Sequence, residues 1–306
     1  MLYKSVKQIG AFAFAFAAMI AYLLSEKSVN PIQPVSSNIQ DTVEIVLLDI
    51  DSDCVPFTLP CSFDELEQKV IFVVDSMKTN QQTVPMFYGY LPPETKVQSV
   101  LLIDGNMVID FNDEFLDIDP AKEIRALEAI CYVFTQFDGV QSFEISVDGK
   151  KVERFNHGQV DIKQPLDDSI TLNNFETVDA ILHRTNGIVI VYEKQWENAK
   201  YMTLQSIRCN DSLINCIEKY YTNQNSILIG NQLKFKEFNL SLMDKIMKIE
   251  ISSEILTPQK NCDLNLITPI LMTIKENFDV DTIDVYVKDV NVYTVKTSDL
   301  KYNVIR

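Results

Sequence analysis

The chain has 306 residues, of which 46% are hydrophobic and 23% charged, a composition typical of packed globular proteins with about two domains. Its 8 glycines never lie within eight positions of each other, which excludes a dinucleotide-binding G-x-G-x-x-G turn, a P-loop and a G-x-S-x-G nucleophile elbow. The net charge of −16 leaves no basic face for phosphate groups, so we expect no nucleic-acid partner.

The beginning of the chain has the layout of a membrane anchor followed by a linker. Lys4 and Lys7 precede an apolar run over residues 9–24, about 24 Å long as a helix, and snorkelling lysines help such a run span a hydrocarbon core of about 30 Å. We expect residues 1–24 to be an uncleaved transmembrane anchor, with a cleaved signal peptide or a buried core helix as alternatives. The Ser-, Asn- and Pro-rich residues 25–41 form the linker, and the later domains lie outside the cytoplasm.

A strand, a helix and a hairpin come next. The apolar run at 44–48 predicts a strand. Apolar residues three or four apart over 63–77 predict an amphipathic helix, and Ser62 is placed to cap it. The two apolar runs within 97–111 predict a β-hairpin, because the Asp-Gly pair at 104–105 suits a tight primed turn.

A second helix and a second hairpin follow. Asp119 is placed to cap the helix, with Pro120 at its first position, and its apolar stripe covers 124–137. Gly139 then supplies a left-handed stop, and another Asp-Gly hairpin spans 142–155. The order is therefore strand–helix–strand–strand–helix–strand, with an added strand. Two helices on one face of a small mixed sheet is the economical packing of such a unit.

The same apolar pattern recurs about 140 residues later. Residues 107–116 resemble 247–256, and the following helix and strand match at the same offset. We interpret this as two copies of one α+β domain, at 42–165 and 184–306, joined by a linker at 166–183. A chance match of apolar patterns is the alternative.

The second copy is less regular than the first. Both Asp-Gly turns are missing from it, and Pro269 falls within its second helix. Because proline disrupts a helix interior, this helix is expected either to begin late, at Thr268, or to be kinked.

Three segments of the first copy resemble the GerM domain of sporulation and spore germination proteins. They are the hairpin at 100–116, the helix-to-strand segment at 132–149 with its Phe-Asp-Gly-Val step and closing Val-Asp-Gly, and the tail at 157–166. The second copy matches only in its strands and one helix. The resemblance therefore covers the first copy well and the second copy weakly.

The resemblance implies an extracytoplasmic protein of a spore-forming Gram-positive bacterium. It also implies an assembly role, because the domain resembles the ring-building modules of the channel between mother cell and forespore. It implies no catalytic residue, cofactor or metal, and we assign none. The best-known members are tethered by a lipidated cysteine, which this chain lacks, so the apolar segment at 9–24 is expected to hold it to the membrane.

The six cysteines give few candidates for chemistry, because no C-x-x-C pair occurs. Cys131 lies on the apolar stripe of a helix and is expected to be core packing. Cys54 and Cys61 are expected in a loop, as a local disulfide or as free thiols. We expect Cys209 and Cys216 to lie on a helix about 10 Å apart, too far to bond.

The remaining polar candidates each have an ordinary structural explanation. The three carboxylates within 49–53 suggest calcium, but a solvated turn is the simpler interpretation, and the acidic residues of 110–114 fit a strand pattern. His157 and His183 are expected at the surface. Trp196 lies in a polar stretch, where an exposed aromatic ring is a candidate interface anchor.

Two functional hypotheses remain, with a third behind them. The first is a non-enzymatic, membrane-anchored extracytoplasmic protein acting in the assembly or localisation of an envelope complex. Its partners would be other cell-envelope or sporulation-complex proteins and, through residues 9–24, the membrane. The alternative is a binding module for a small ligand or a cell-envelope polymer, and a hydrolase with paired carboxylates comes third. An exposed patch or unpaired strand edge favours assembly, a concave polar cleft favours binding, and a carboxylate pair with shifted pKa values in that cleft favours an enzyme.

Overall fold

A computed structural model describes residues 41–158, 160–174, 187–197, 199–222 and 234–305. The anchor predicted at 1–24 lies outside the described residues, as do almost all of the linker at 25–41 and His183. Within the described ranges, no helix combines the length and the apolar character that crossing a bilayer requires.

The first copy contains two helices and six strands. Its elements in chain order are β1 (Thr42–Leu48), β2 (Cys54–Pro60), α1 (Leu66–Ser76), β3 (Val97–Ile103), β4 (Asn106–Phe111), α2 (Glu123–Phe134), β5 (Ser142–Val147) and β6 (Lys150–Lys151). Strands β3, β4, β5 and β6 form a sheet in that order. The sheet is mixed, because β4 and β5 run parallel while the outer pairs are antiparallel.

The second copy repeats this order. Its elements are β7 (Gly187–Trp196), β8 (Ala199–Arg208), α3 (Leu213–Thr222), β9 (Phe238–Met243), β10 (Ile246–Ile251), α4 (Leu264–Asn277), β11 (Thr282–Val287) and β12 (Val290–Lys296). Its sheet has the order β9, β10, β11, β12, again with a parallel central pair. The two central pairs correspond at an offset of 140 residues, since Met107 lies opposite Phe143 and Met247 opposite Ile283.

Strands β2 and β8 were missed in the sequence. Each forms a two-stranded antiparallel sheet with the strand before it, so the first strand of each copy is not part of the mixed sheet. Helix α1 packs against both β1 and β3, while α2 packs on β1 and places Phe134 against Phe143 of β5. The helices therefore cover one face of the mixed sheet, as predicted, while their other side packs on a two-stranded sheet that was not predicted.

The predicted turns are present. Asp104 and Gly105 have φ values of 50° and 82°, as a primed hairpin turn requires, and Gly139 also adopts a left-handed φ of 82°. The second copy makes the turn between β11 and β12 without glycine, using Lys288 at 49° and Asp289 at 64°.

The helix starts differ in part from the predictions. Helix α1 begins after Glu65 with no side-chain cap, so the assignment of Ser62 as its cap was wrong. Asp119 does act as a cap: its carboxylate accepts the Ala121 N–H at 3.0 Å at the start of a short 3-10 turn before α2. Helix α4 begins at Leu264 and includes Pro269, so it does not begin late.

Two buried asparagines lock the copies together in a near-symmetrical way. We call the segment that follows the last strand of each copy its tail. Asn173, in the tail of the first copy, pairs with both backbone groups of Cys54 at 2.7 Å and donates to the Leu204 carbonyl at 2.8 Å. Asn303, in the tail of the second copy, pairs with both backbone groups of Met202, at 2.8 and 2.6 Å, and donates to the Pro56 carbonyl at 2.8 Å. Each amide therefore ties β2 to β8.

The tails themselves are exchanged between the copies. The Thr58 N–H of β2 donates to the Tyr302 carbonyl, and the Ile305 N–H donates back to the Thr58 carbonyl, both at 3.0 Å. In the opposite direction, Asn174 forms a parallel bridge to Ser206 of β8. Because each tail is bonded to the other copy, the two copies form one interlocked body.

Candidate functional site

The hairpin formed by β3 and β4 exposes a short apolar tip. Leu101, Leu102 and Ile103 are all exposed, Ile103 by 60%. They end β3, which is an edge strand and carries no charged residue over its seven positions. Edge strands in soluble proteins are commonly protected by charged or proline residues, so an uncharged apolar edge indicates a surface that pairs with something else.

The second copy exposes an apolar tip at the corresponding hairpin. Leu242, Met243 and Ile246 flank the turn between β9 and β10, and Met243 is 71% exposed. The register matches that of the first copy, since Leu242 lies opposite Met247 just as Leu102 lies opposite Met107. Two copies with different sequences thus both keep large apolar side chains in water at one position.

The surroundings of the two tips differ in charge. Residues 42–165 contain 22 acidic and 9 basic side chains, whereas residues 184–306 contain 15 of each. The first copy therefore carries a net charge of −13 and the second copy is neutral. A field of this size attracts basic partners to the first copy and is nearly absent from the second.

The three carboxylates that suggested calcium surround a lysine instead. Nζ of Lys194, from the second copy, lies 2.7 Å from Asp49, 2.8 Å from Asp51 and 3.0 Å from Asp53. The Tyr201 hydroxyl also donates to Asp49 at 2.9 Å. The alternative of a simple solvated turn is equally incomplete, because the Asp49 side chain is buried. The cluster is an ion-paired contact between the copies.

This cluster is electrostatically satisfied. Burial alone would lower the pKa of Lys194, but the hydrogen bonds that its ammonium group donates to the three carboxylates outweigh it and hold the pKa above its ordinary value. The pKa of Tyr201 is raised by burial and by its bond to Asp49. Across the described ranges, no group of His, Cys, Asp and Glu residues is arranged to hold a metal ion.

A polar cleft of about 450 Å³ lies where the two copies meet. It is lined by residues of both copies and of the first tail: Thr42, Glu44, Tyr132, Thr135, Gln136, Asp168, Ile170, Thr171, Leu172, Val189, Leu204, Lys275, Glu276 and Lys301. Glu44 accepts a hydrogen bond from the Tyr132 hydroxyl at 2.5 Å and lies 3.5 Å from Nζ of Lys275. The cleft therefore presents charges of both signs.

Glu276 is the unusual group of this cleft. Burial raises the pKa of its carboxyl to about 7; Lys275 opposes the shift and the negative charge of Glu44 adds to it. With a pKa of about 7, Glu276 therefore gains or loses a proton near neutral pH. Chemically, the arrangement is able to bind a proton or a cationic group, which fits the polar cleft expected of a binding module.

The prediction for Cys209 and Cys216 was wrong, whereas that for Cys54 and Cys61 was wrong in expecting a loop and right in its alternative of free thiols. Cys209 and Cys216 form a disulfide with a Cα–Cα distance of 6.1 Å, because Cys209 lies in the loop before α3 and not on the helix. Cys54 and Cys61 lie at the two ends of the extended β2, too far apart to bond, and both are free and buried. Cys131 is buried on α2, as expected for core packing.

The other sequence candidates are structural. Trp196 is half-buried at the end of β7 and packs against the core, so it is not the exposed anchor that its polar neighbours suggested. Asp110 accepts hydrogen bonds from the Ser146 hydroxyl at 2.6 Å and the Gly149 N–H at 2.9 Å, which explains its place in an acidic run. His157 is exposed in a turn.

These features define a class of protein: a tandem of interlocked α+β domains, each with two helices and a mixed sheet. Residues 62–153 match the family model Germane, described as sporulation and spore germination. The match places a GerM-family domain in the first copy, which confirms the resemblance seen there at residues 100–166.

Two relatives show how far the similarity extends. Spore germination protein GerM of Bacillus subtilis (strain 168) is 23% identical over 173 residues, covering 55% of this chain and 47% of that protein. The chain thus aligns with about half the length of this curated relative. The solved tandem GerMN domains of the sporulation protein GerM from Bacillus subtilis superpose with a TM-score of 0.69 at 17% identity, covering 85% of this chain and 98% of that one. The shared fold is that of tandem GerMN domains.

Proposed function

We propose that this protein is a membrane-anchored, extracytoplasmic sporulation or germination protein that acts non-catalytically in the assembly or localisation of an envelope complex. The observation that carries the proposal is the pair of exposed apolar hairpin tips, which include Ile103 in the first copy and Met243 in the second. Apolar side chains held in water at an edge strand are typical of surfaces that pair with other proteins.

The interlocked tails support an assembly role. Because Asn173 and Asn303 tie each copy to the other, the two tips are held in a fixed relation. A rigid body with two apolar contact points is suited to joining or spacing partners. Flexible tandem domains would bind each partner independently.

The compartment is supported by two features. The disulfide between Cys209 and Cys216 is of a kind that persists in oxidising environments outside the cytoplasm. The lysines before the apolar run at 9–24 fit an anchor whose N-terminus stays in the cytoplasm. Both features favour folded domains on the outer side of a single-pass anchor.

The test is a pull-down of the tagged full chain from detergent-solubilised membranes of sporulating cells, followed by mass spectrometry. Wild-type protein is compared with the double variant Ile103→Lys plus Met243→Lys, and with Val290→Lys as a matched control. Val290 is also apolar and 62% exposed but begins β12 at the end of the second sheet opposite the tip at Met243. We expect envelope proteins with wild type and Val290→Lys and their loss with the double variant. Equal recovery by all three proteins, or the chain alone, would contradict the proposal.

The interdomain cleft favours the second candidate, a binding module for a small ligand or an envelope polymer. Its charged lining converges from both copies around Glu44 and Glu276. Thr42 lies exposed at its rim, so Thr42→Trp would obstruct the cleft without touching the core. If this candidate is correct, soluble cell-wall fragments raise the melting temperature of wild type and not of Thr42→Trp. No shift in either protein counts against it.

A further inference from the structure

We propose that the edge of β3 in the first copy binds an extended, basic segment of a partner protein, which adds to the sheet as an extra strand. This inference deepens the assembly role proposed above and rests on it. Only the first copy is assigned this site, because the two copies differ at this edge in backbone bonding and in charge.

The backbone geometry of β3 suits strand addition. Ile103 and Asn106 flank the two-residue turn and face each other across the hairpin. Since hydrogen-bonded and non-bonded pairs alternate along an antiparallel ladder, the backbone groups of Leu102 and Val100 point away from β4. These groups, together with the exposed side chains of Leu101 and Ile103, form the ready template that β-strand addition uses.

The second copy closes the same edge with its own helix. The Leu240 N–H, which points outward from β9, donates to Oε1 of Glu218 on α3 at 2.7 Å. At the offset of 143 residues that relates these two helices, the first copy has Asp75. Asp75 pairs with Lys78 at 2.5 Å instead of with the strand. The carboxylate that blocks the edge of β9 in the second copy therefore has a counterpart in the first copy that pairs with a lysine and leaves the edge of β3 open.

Charge selects the kind of segment. Helix α1 packs beside β3 and exposes Glu67 and Asp75, while Asp104 and Asp138 are exposed near the hairpin tip. With a net charge of −13 over residues 42–165, this face attracts lysine and arginine and repels another first copy. A segment in which basic and apolar residues alternate would place its apolar side chains with Leu101 and Ile103.

The first experiment identifies the natural segment. A photo-reactive residue replaces Ile103 in the full chain in sporulating cells, and Met243 in a matched strain, and cross-linked peptides are sequenced. We expect Ile103 to cross-link to a segment of net positive charge with alternating apolar residues, and Met243 not to capture that segment. A neutral or acidic segment, a second copy of this chain, or no cross-link at Ile103 would overturn the inference. The pull-down would still recover partners if only this inference fails.

The second experiment measures the interaction with defined probes. Full-length protein in detergent micelles is titrated with a heptapeptide that alternates lysine and valine, and with its glutamate counterpart, by fluorescence anisotropy. We expect the lysine peptide to bind at least tenfold more tightly than the glutamate peptide and to weaken as salt rises. Equal affinity of the two peptides would overturn the charge argument.

Variants then separate backbone pairing from charge. Leu102→Pro removes the outward N–H and is expected to weaken binding about tenfold, whereas the matched Leu242→Pro in the second copy leaves it unchanged. The double change Asp104→Asn plus Asp138→Asn is expected to weaken binding about threefold and keeps the test decisive if Leu102→Pro does not fold. Unchanged binding by both folded first-copy variants would overturn the assignment.

Discussion

The two copies share an amide clamp between a helix and a strand but differ in the net charge of their surfaces. Gln136, at the end of α2, pairs with both backbone groups of Glu44 in β1, at 2.6 and 2.7 Å. Asn277, at the end of α4, does the same to Val189 in β7, at 2.9 and 2.7 Å. Such bonds are made to backbone atoms, so they do not depend on the side chain of the strand residue that is bonded. Surface charge has no such restraint, and the net charges of the copies differ by 13.

The two copies therefore share the bonds that hold the fold and differ in the surfaces proposed to contact partners. The amide clamps and the exchanged tails recur in both copies and belong to stability. The open edge at β3 and the acidic surface occur in the first copy, while the disulfide at Cys209 and the blocked edge at Leu240 occur in the second. Variants at matched positions in the two copies test this division.

The largest effect is expected at the two interlocking asparagines. Both Asn173 and Asn303 are buried, with φ values of 51° and 29°. Replacing either by glycine keeps the backbone free to adopt this conformation but leaves at least two buried backbone groups without a partner, so we expect a loss of about 4 kcal/mol in unfolding free energy. This corresponds to roughly 10 °C in melting temperature, measurable by calorimetry.

A second pair of variants isolates the backbone contribution at these positions. Asn173→Ala and Asn303→Ala lose the same hydrogen bonds and also place a Cβ in a left-handed conformation, which costs about 1 kcal/mol more. Equal losses at 173 and 303 would support the symmetrical interlock. A loss below about 1 kcal/mol at either site would show that the tails are not exchanged.

The disulfide should stabilise only the second copy. Closing the short loop between Cys209 and Cys216 is worth about 2 kcal/mol by restricting the unfolded chain. We expect reductant to lower the urea midpoint of wild type and to leave the double variant Cys209→Ser plus Cys216→Ser unchanged. If reductant has no effect on wild type, the bond is not formed in the folded protein.

Glu276, which precedes the clamp residue Asn277, should make the stability of the protein depend on pH. The matching position in the first copy is Thr135, which precedes the clamp residue Gln136 and cannot titrate. The folded pKa of Glu276, about 7, lies above its ordinary value near 4.5. Its favourable contribution is therefore complete below pH 4.5 and is lost as pH rises through 7. We expect Glu276→Gln to raise stability at pH 8 by about 1 to 2 kcal/mol and to change little at pH 5. A gain of equal size at both pH values would show that burial of the carboxylate is not the cause.

Local patterns predicted the hairpins, the helices and the repeat, because each rests on residues close together in the chain. Strand β2 was missed because almost all of its residues are buried, so apolar and polar residues do not alternate along it, and Pro56 and Pro60 suggested a loop. The ion pair between Lys194 and Asp49 joins residues 145 apart, for which no local spacing exists.

Two errors had a signal that the sequence did contain. Cys209 was placed on a helix, although a helix beginning at Leu213 leaves it in the preceding loop, within reach of Cys216. Asn173 fell within the predicted linker at 166–183, and its positive φ is typical of a turn residue. Comparing the tails of the two copies would have shown that each contains an asparagine, a residue whose side-chain amide can both donate to and accept from backbone groups.

The smallest effect is expected at the turns that distinguish the copies. An added Cβ at Gly149, in the turn before β6, meets no atom within 4 Å, so Gly149→Ala should cost about 1 kcal/mol purely through its φ of 73°. Asp289, at the matching place before β12, has a φ of 64° without being glycine. Asp289→Gly should therefore gain about 0.5 kcal/mol after the added entropy of the unfolded chain is subtracted, measured as a shift in urea midpoint. Asp289→Ala controls for loss of the carboxylate and should not gain. If Asp289→Ala stabilises the protein as much as Asp289→Gly does, the gain comes from removing the carboxylate charge and not from relieving backbone strain.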